Sequence, residues 1–249
     1  MLELNRISAG YGKQTVLDGI SVDFEKGKLT SIIGVNGCGK STLLKAILGI
    51  LPLSGGEIFI DGENLLTISR NEIAKKIAYL SQGKNIPDMT VEQMVLHGRF
   101  PFLSYPRRYS SHDREVAIKA METVGVAEFA RKPLYSLSGG MRQNAYIAMA
   151  LAQDTDYILL DEPTTYLDIA HQLDLMRILR KLADSGKGIV TVMHDLPIAF
   201  DFSDKLTVMS NGKIIAYGTP SEICKSHIVE DIFGVKIKQV QKGKYLYEY

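Results

Sequence analysis

The 249-residue sequence has no tryptophan, only two cysteines and no long apolar segment. Because Cys38 and Cys224 are far apart in the sequence, we expect no structural disulfide and a reducing compartment. The longest apolar stretch, residues 46–53, is interrupted by glycine and proline and is much shorter than the ~20 residues that span a bilayer. The segment MLELNRISAG lacks the basic start and apolar core of a signal peptide. We therefore expect a cytoplasmic, globular protein.

The sequence also has no excess of either charge. Its 29 Lys and Arg oppose 28 Asp and Glu, leaving a net charge of +1, so no global field favours nucleic acid or an anionic membrane surface. The five histidines are scattered, and no Cys/His group has the spacing of a zinc site. The chain does have 45% hydrophobic residues, enough for one large domain or a core with a subdomain.

The pattern of apolar residues predicts an α/β protein with two additions. In residues 1–60, stretches of alternating apolar and polar residues are separated by Gly and Asp-Gly, which predicts a small β-rich region. KIAYLSQ (76–82) and DYILLDEP (156–163) are typical of buried strands in a parallel sheet. Residues 90–152 have mostly helical periodicity, broken by prolines and aromatics in residues 100–113. We interpret them as a helical subdomain inserted into an α/β core.

The C-terminal third continues the α/β pattern. Residues 171–186 predict an amphipathic helix that ends at a glycine, and residues 188–195 predict a buried strand. Residues 205–218 predict a hairpin that turns at Asn211 and Gly212.

GVNGCGKS, residues 34–41, matches the phosphate-binding loop G-x-x-x-x-G-K-[ST]. Its glycines let backbone N–H groups curl around phosphate oxygens, and the following helix adds its positive end. Lys40 would reach the β- and γ-phosphates, and Ser41 would bind Mg²⁺. An ordinary glycine-rich turn is the alternative. The apolar strand before the loop and the helical pattern after it favour the nucleotide site.

YILLDEP places Asp161 and Glu162 at the carboxyl end of a strand, where open α/β sheets bind ligands. We predict that Asp161 holds Mg²⁺, directly or through water, and that Glu162 polarises an attacking water. Taken alone, two acidic residues after a strand are more often solvated loop residues. Together with the phosphate-binding loop, they predict ATP hydrolysis.

LSGGMRQ, residues 137–143, opens a predicted helix with Ser138, Gly139 and Gly140. The free amides and the serine hydroxyl would form a second anion site. The first loop already holds the phosphates of one nucleotide, so we interpret this turn as serving another. A serine N-cap followed by two flexible glycines is the alternative.

Together, GVNGCGKS, LSGGMRQ and YILLDEP resemble the ATP-binding subunit of ATP-binding-cassette (ABC) transporters, over essentially the whole chain. The resemblance implies ATP and Mg²⁺ as cofactors. It also implies that Tyr11 stacks on adenine, that Gln82 contacts Mg²⁺ and the γ-phosphate, that Asp168 is the D-loop aspartate, and that His194 braces the γ-phosphate. The loop residues expected to bind ATP are Asn36, Gly37, Cys38, Gly39, Lys40, Ser41 and Thr42.

The resemblance implies a P-loop NTPase core with an N-terminal antiparallel β subdomain and an inserted α-helical subdomain. The expected division of this single domain is about 1–87 and 154–249 for the core and about 88–153 for the helical part. Two copies would face each other, with each ATP between the loop of one and Ser138, Gly139 and Gly140 of the other. Hydrolysis, with Glu162 as base, would open this homodimer.

Two residues depart from the family pattern. Met141 stands where Gln is usual, and Gln could complete a capping box that Met cannot form. Asn144 stands where Arg is common. We expect a somewhat weaker, still functional ATP sandwich.

A subclass is suggested by three segments that resemble those of importer ATPases for iron–siderophore complexes, haem or cobalamin. These segments are residues 97–113, 160–176 and 192–220. This implies a peripheral location on the cytoplasmic face of the membrane and a polytopic permease that docks near Gln82 and residues 99–108. A substrate-binding protein would be reached only indirectly. A solvated loop is the alternative for residues 99–108.

The phosphate-binding loop is also compatible with three other functions. ABC ATPases that act on DNA need a long coiled-coil insertion, and those that act on ribosomes usually carry two cassettes in tandem. This sequence shows neither feature, so no nucleic-acid partner is expected. An exporter ATPase often has a fused membrane domain, which this sequence lacks. A P-loop kinase would leave LSGGMRQ and His194 without a role.

Overall fold

The computed structural model describes residues 1–82, 86–241 and 243–248. In chain order its strands are β1 (Leu2–Tyr11), β2 (Gln14–Phe24), β3 (Leu29–Gly34), β4 (Leu53–Ile60), β5 (Glu63–Asn64), β6 (Ile77–Leu80), β7 (Tyr157–Asp161), β8 (Gly188–Val192), β9 (Lys205–Ser210), β10 (Lys213–Gly218), β11 (Lys236–Gln241) and β12 (Lys244–Glu248). Its α-helices are α1 (Lys40–Ile47), α2 (Arg70–Lys76), α3 (Val91–His97), α4 (Ser111–Thr123), α5 (Gly139–Ala152), α6 (Ile169–Asp184), α7 (Leu196–Phe202), α8 (Pro220–Lys225) and α9 (Ile228–Phe233).

The N-terminal strands form an antiparallel sheet in the order β2-β1-β4-β5. Along β1, Leu2, Leu4 and Ile7 are buried while Asn5 and Arg6 are exposed. Successive side chains of a strand point to opposite faces, so Leu2 and Leu4 share the buried face, and a register shift between Leu4 and Ile7 returns Ile7 to that face. The buried face shares a core with α1 and β3, which confirms the predicted β-rich region.

A six-stranded sheet in the order β10-β9-β3-β8-β7-β6 forms the centre of the molecule. Its pairs from β9 to β6 are parallel, and β10 is antiparallel to β9. Every residue of β3, β7 and β8 is buried, because helices and the second sheet cover both faces. The hairpin turns at Asn211 and Gly212, whose φ angles of 47° and 74° are typical of a type I′ turn.

The helices α3, α4 and α5 follow β6 and precede β7, so they are inserted between two neighbouring strands. Their apolar faces share the main core with the sheet. Residues 103–110 contain no helix, as Pro106 within this stretch predicts. The boundaries at about 88 and 153 for this helical subdomain stay a prediction.

Arg99 and Asp113 form a buried ion pair within this helical region. Arg99 Nε lies 2.9 Å from Asp113 Oδ1, and the guanidinium also donates to the carbonyl of Ala152 at 3.0 Å. Burial opposes ionisation of Asp113, but hydrogen bonds from Ser110 and Arg99 outweigh it and lower its pKa to about 2. Arg99 is therefore buried, so the side chains of residues 99–108 that are available to a permease begin at Phe100.

In the described part of the chain, no helix is long and apolar enough to cross a membrane.

Candidate nucleotide site

The phosphate-binding loop has three positions that favour glycine. A Cβ at Gly34 would lie 2.3 Å from the carbonyl oxygen of Met209, so a side chain there would collide with β9. Gly37 and Gly39 have φ angles of 79° and 106°, in a region that other residues rarely adopt. Gly39 caps α1 without a side-chain hydrogen bond, and no acidic residue lies in the first turn. The positive end of α1 is thus available to an anion.

Lys40 is only 5% exposed. Its ammonium donates to the carbonyls of Gly34 at 2.7 Å and Val35 at 3.1 Å. Among the described residues it forms no ion pair with a carboxylate. A buried cation without a counter-charge is costly, so the surroundings of Lys40 fit an anionic ligand such as a phosphate group.

Asp161, at the end of β7, is brought next to the phosphate-binding loop. The Ser41 hydroxyl donates to Asp161 Oδ1 at 2.9 Å, and the Tyr79 hydroxyl donates to Oδ2 at 3.4 Å. Burial raises the pKa of Asp161, and the negative charge of Glu162 acts in the same direction. Burial together with the Asp161 carboxylate also raises the pKa of Tyr79. The oxygens of Ser41 and Asp161 are hard ligands that suit Mg²⁺.

Glu162 is held by side chains from two other segments and by one residue of its own loop. Its Oε1 lies 2.5 Å from His194 Nε2, and its Oε2 accepts hydrogen bonds from Gln82 and, at 3.3 Å, from Thr165. The φ angle of Glu162 is 52°, a strained conformation for a residue with a side chain. The structure thus brings the predicted residues Glu162, His194 and Gln82 together.

Two adjoining clefts meet at Gln82 and Glu162. The first also contains His194 and the phosphate-binding loop. Its lining residues are Val16, Asn36, Gly37, Gly39, Lys40, Ser41, Thr42, Gln82, Glu162 and His194. The second cleft runs from Glu162 to Gly139 at the start of α5. Within one chain the Ser-Gly-Gly turn is therefore separate from the phosphate-binding loop.

The Ser-Gly-Gly turn begins α5 as the sequence predicts. Ser138 is the N-cap and accepts a hydrogen bond from the Met141 amide at 3.3 Å. Ser138 and Gly139 are exposed. Asn144 is half-buried, and its Nδ2 donates to the carbonyl of Val124 at 3.0 Å. Asn144 therefore connects α5 to the end of α4, a contact that the sequence pattern does not predict.

Three other predicted residues are not among those that line the two clefts. Tyr11 ends β1 and is half-exposed. Cys38 is buried, and burial raises the pKa of its thiol. Asp168 is the N-cap of α6. Sequence reasoning missed Thr165, whose position three residues after Glu162 could have indicated the hydrogen bond.

A family model described as ABC transporter matches residues 17–165. The chain belongs to the ABC transporter ATP-binding family. The resemblance inferred from the three motifs is thereby confirmed, and so is the fold. As an ABC ATPase, the chain binds and hydrolyses ATP.

Several curated ABC ATPases are similar over most of the chain. The petrobactin import ATP-binding protein FpuD of Bacillus anthracis is 40% identical over 93% of this chain and 86% of its own. The ferric enterobactin transport ATP-binding protein FepC of Escherichia coli (strain K12) has the same identity and coverage. The iron(3+)-hydroxamate import ATP-binding protein FhuC of Bacillus subtilis (strain 168) is 40% identical over 94% of this chain and 88% of its own.

Solved ABC structures have the same fold. A metal-chelate type ABC transporter in an inward-facing conformation has a TM-score of 0.85 at 27% identity, covering 100% of this chain and 97% of that chain. The dimeric ABC cassette MJ0796 has a TM-score of 0.76 at 27% identity, covering 88% and 99%. ABC cassettes thus form dimers.

Proposed function

We propose that this chain is the ATP-hydrolysing subunit of an importer for iron–siderophore complexes, on the cytoplasmic face of the membrane. The observation that carries this proposal is the 40% identity, over at least 93% of the chain, to three ATP-binding proteins named for petrobactin, ferric enterobactin and iron(3+)-hydroxamate. Haem and cobalamin are the other substrates that the sequence resemblance allows.

In the proposed mechanism, Glu162 accepts a proton from the water that attacks the γ-phosphate. The contacts of Glu162 with His194 and Gln82 fix its carboxylate in one orientation, which is the geometric requirement for a general base. Lys40 offsets the negative charge that develops on the phosphate oxygens. Mg²⁺, when bound, would add further charge neutralisation, and Ser41, Asp161 and Gln82 would hold it.

The binding residues are proposed from the same geometry. The amides of residues 36–42 would surround the phosphates, and Tyr11 would stack on adenine. Half-exposure leaves the ring of Tyr11 free to do so.

We further propose that the active form is a homodimer. Gly139 lines a different cleft from the phosphate-binding loop of its own chain, so in a face-to-face dimer Ser138, Gly139 and Gly140 would contact the ATP of the partner. Asp168, at the end of the loop that begins with Glu162, would lie at the same interface.

The proposed permease contact lies near Gln82 and residues 100–108. Tyr105 is 97% exposed, and Phe100 is 46% exposed with the Arg107 guanidinium 4.6 Å from its ring centre. Exposed aromatic side chains next to a cation are typical of a protein interaction surface. The permease in turn would contact the substrate-binding protein.

The proposal is tested by recovering partners of a tagged Glu162→Gln variant from native membranes in the presence of ATP. We expect a polytopic permease, and a lipoprotein or periplasmic binding protein with it. Adding Phe100→Ala and Tyr105→Ala is the matched control, because it should abolish permease recovery while ATP binding persists. Deletion of the chain should abolish uptake of radioactive iron from a ferric siderophore. Recovery of ribosomes, nucleic acid or only soluble proteins would contradict the transport function.

A further inference from the structure

The two glycines of the Ser-Gly-Gly turn have different surroundings. A Cβ at Gly139 would meet nothing within 4 Å, whereas a Cβ at Gly140 would lie 2.2 Å from Cδ2 and 2.8 Å from Nε2 of His171. Gly140 lies in the first turn of α5, where any residue can adopt the backbone conformation. The imidazole ring of His171, and not the backbone, therefore excludes a side chain at Gly140.

The carboxylate of Asp168, at the end of the loop that begins with Glu162, holds His171 on the opposite side of its ring. Its backbone N–H donates to Asp168 Oδ1 at 2.9 Å, and its ring Nδ1 lies 2.9 Å and 2.8 Å from the two carboxylate oxygens. These hydrogen bonds hold the pKa of Asp168 below its usual value. Because the carboxylate accepts, Nδ1 carries the proton. The opposite edge of the ring is the one that contacts Gly140.

The loop from Glu162 to Asp168 is thus continuous with the Ser-Gly-Gly turn. Gln172, the next residue of α6, donates to the carbonyl of Leu167 at 2.9 Å, so α6 holds the loop at two successive residues. The contact between His171 and Gly140 leaves no space for even a methyl group. Closely packed groups of this kind shift together.

We propose that His171 is a positioning residue that sets the Ser-Gly-Gly turn relative to the loop of Glu162 in the same chain. The inference rests on the proposed homodimer, in which that turn contacts the partner's ATP. His171 then links the hydrolytic site that a chain forms with its own phosphate-binding loop to the site that it completes for its partner.

The alternative is that Gly140 must be glycine because the partner's nucleotide approaches it directly. The two explanations differ in one respect. If the ring of His171 is the obstacle, removing the ring makes a methyl group at Gly140 acceptable. If the nucleotide is the obstacle, removing the ring changes nothing.

The test uses the full chain with Glu162→Gln as parent and compares Gly140→Ala, His171→Asn and the double variant. Asn retains an N–H donor for Asp168 but lacks the ring edge that faces Gly140. Gly139→Ala, with and without His171→Asn, is the matched control. ATP-dependent dimerisation is measured by sedimentation velocity, the thermal unfolding midpoint reports folding, and a fluorescent ATP analogue reports binding by the monomer.

We expect Gly140→Ala to weaken dimerisation by about tenfold or more, because the new methyl group displaces the ring. His171→Asn should return the double variant to within about threefold of the parent. Gly139→Ala should not be rescued. Monomer binding of the analogue should be similar throughout.

Two results would overturn the inference while the proposed homodimer stands. Failure of His171→Asn to rescue dimerisation would assign the constraint on Gly140 to the nucleotide. Rescue of the unfolding midpoint without rescue of dimerisation would reduce the contact to packing. A parent that does not dimerise with ATP would instead refute the proposed homodimer, and this inference with it.

Discussion

Glu162 Oε1 lies 2.5 Å from Nε2 of His194, although the two residues follow different strands of the central sheet. The strands β7 and β8 are parallel neighbours, so their carboxyl ends meet at one edge. His194 is thereby placed to orient the carboxylate and to contribute positive charge when protonated.

His194→Ala should lower ATP turnover by about 100-fold, because Glu162 loses an orienting partner and the transition state loses a donor. ATP affinity should change by only a few-fold. The steady-state rate at saturating ATP and the affinity for a fluorescent ATP analogue test this. His112→Ala, on the exposed start of α4, is the control. A turnover within about twofold of wild type would exclude the assigned role.

Lys40→Ala should weaken ATP binding by at least about tenfold, because it removes the buried ammonium whose partners are the Gly34 and Val35 carbonyls. Lys45→Ala is the matched control on the same helix, since Lys45 lies in the last turn of α1. Isothermal titration calorimetry measures both affinities. Equal losses for the two variants would show that only general charge matters.

Arg99→Met should destabilise the fold by about 3–5 kcal/mol, because it leaves the carboxylate of Asp113 buried without its cation. Urea unfolding at pH 7 measures this change. Arg114→Met, whose ion pair with Glu92 is more than one-third exposed, is the control and should cost less than about 1 kcal/mol.

The same ion pair predicts a pH dependence. The folded-state pKa of Asp113, about 2, lies below the unfolded value of about 3.9. Ionised Asp113 therefore contributes stability that is fully present above about pH 4 and is lost as the pH falls towards about 2. Its contribution is about 2–3 kcal/mol. Asp113→Asn should flatten the acid limb of the unfolding free energy, and an unchanged slope below pH 4 would contradict the assignment.

Met141→Gln and Asn144→Arg should have opposite effects. The caps of α2, α3, α4 and α8 are complete capping boxes, whereas α5 has only the Ser138 half. Met141→Gln can supply the other half and stabilise the fold by about 0.5 kcal/mol. Asn144→Arg should destabilise it by about 1–2 kcal/mol, since the hydrogen bond to the Val124 carbonyl is lost.

Thermal unfolding of the two single variants measures these effects. The sequence-based expectation, that each substitution strengthens the ATP sandwich, is tested in parallel by dimerisation with ATP. Stabilisation by Asn144→Arg would mean that the hydrogen bond to Val124 contributes little.

The sequence predicts the parts of the site that are local in the chain. Residues 34–41 match a phosphate-binding loop between a strand and a helix, and Asp161 is predicted to end a strand because an apolar run precedes it. The contacts of His194 with Glu162 and of His171 with Gly140 depend on strand order and helix packing. No local pattern encodes these, so they required the structure.

The same limit explains Arg99. Next to two phenylalanines and two prolines in the sequence, it reads as part of an exposed patch. Its partner Asp113 is 14 residues away on α4, and its second acceptor, Ala152, is at the end of α5. The ion pair and the hydrogen bond to Ala152 join three segments that come together only when the chain folds. Periodicity and composition do not predict such contacts.

The order of strands also determines how this chain can fold during synthesis. The strand β3, which leads into the phosphate-binding loop, has β8 and β9 as its two neighbours in the sheet, and the Leu29 amide donates to Asp204, 175 residues later. At the usual rate of translation, β3 leaves the ribosome roughly ten seconds or more before these partners do. During that interval its apolar side chains are exposed and ATP has no site to stabilise. Nascent chains of this protein should therefore depend on a chaperone until synthesis has passed β9.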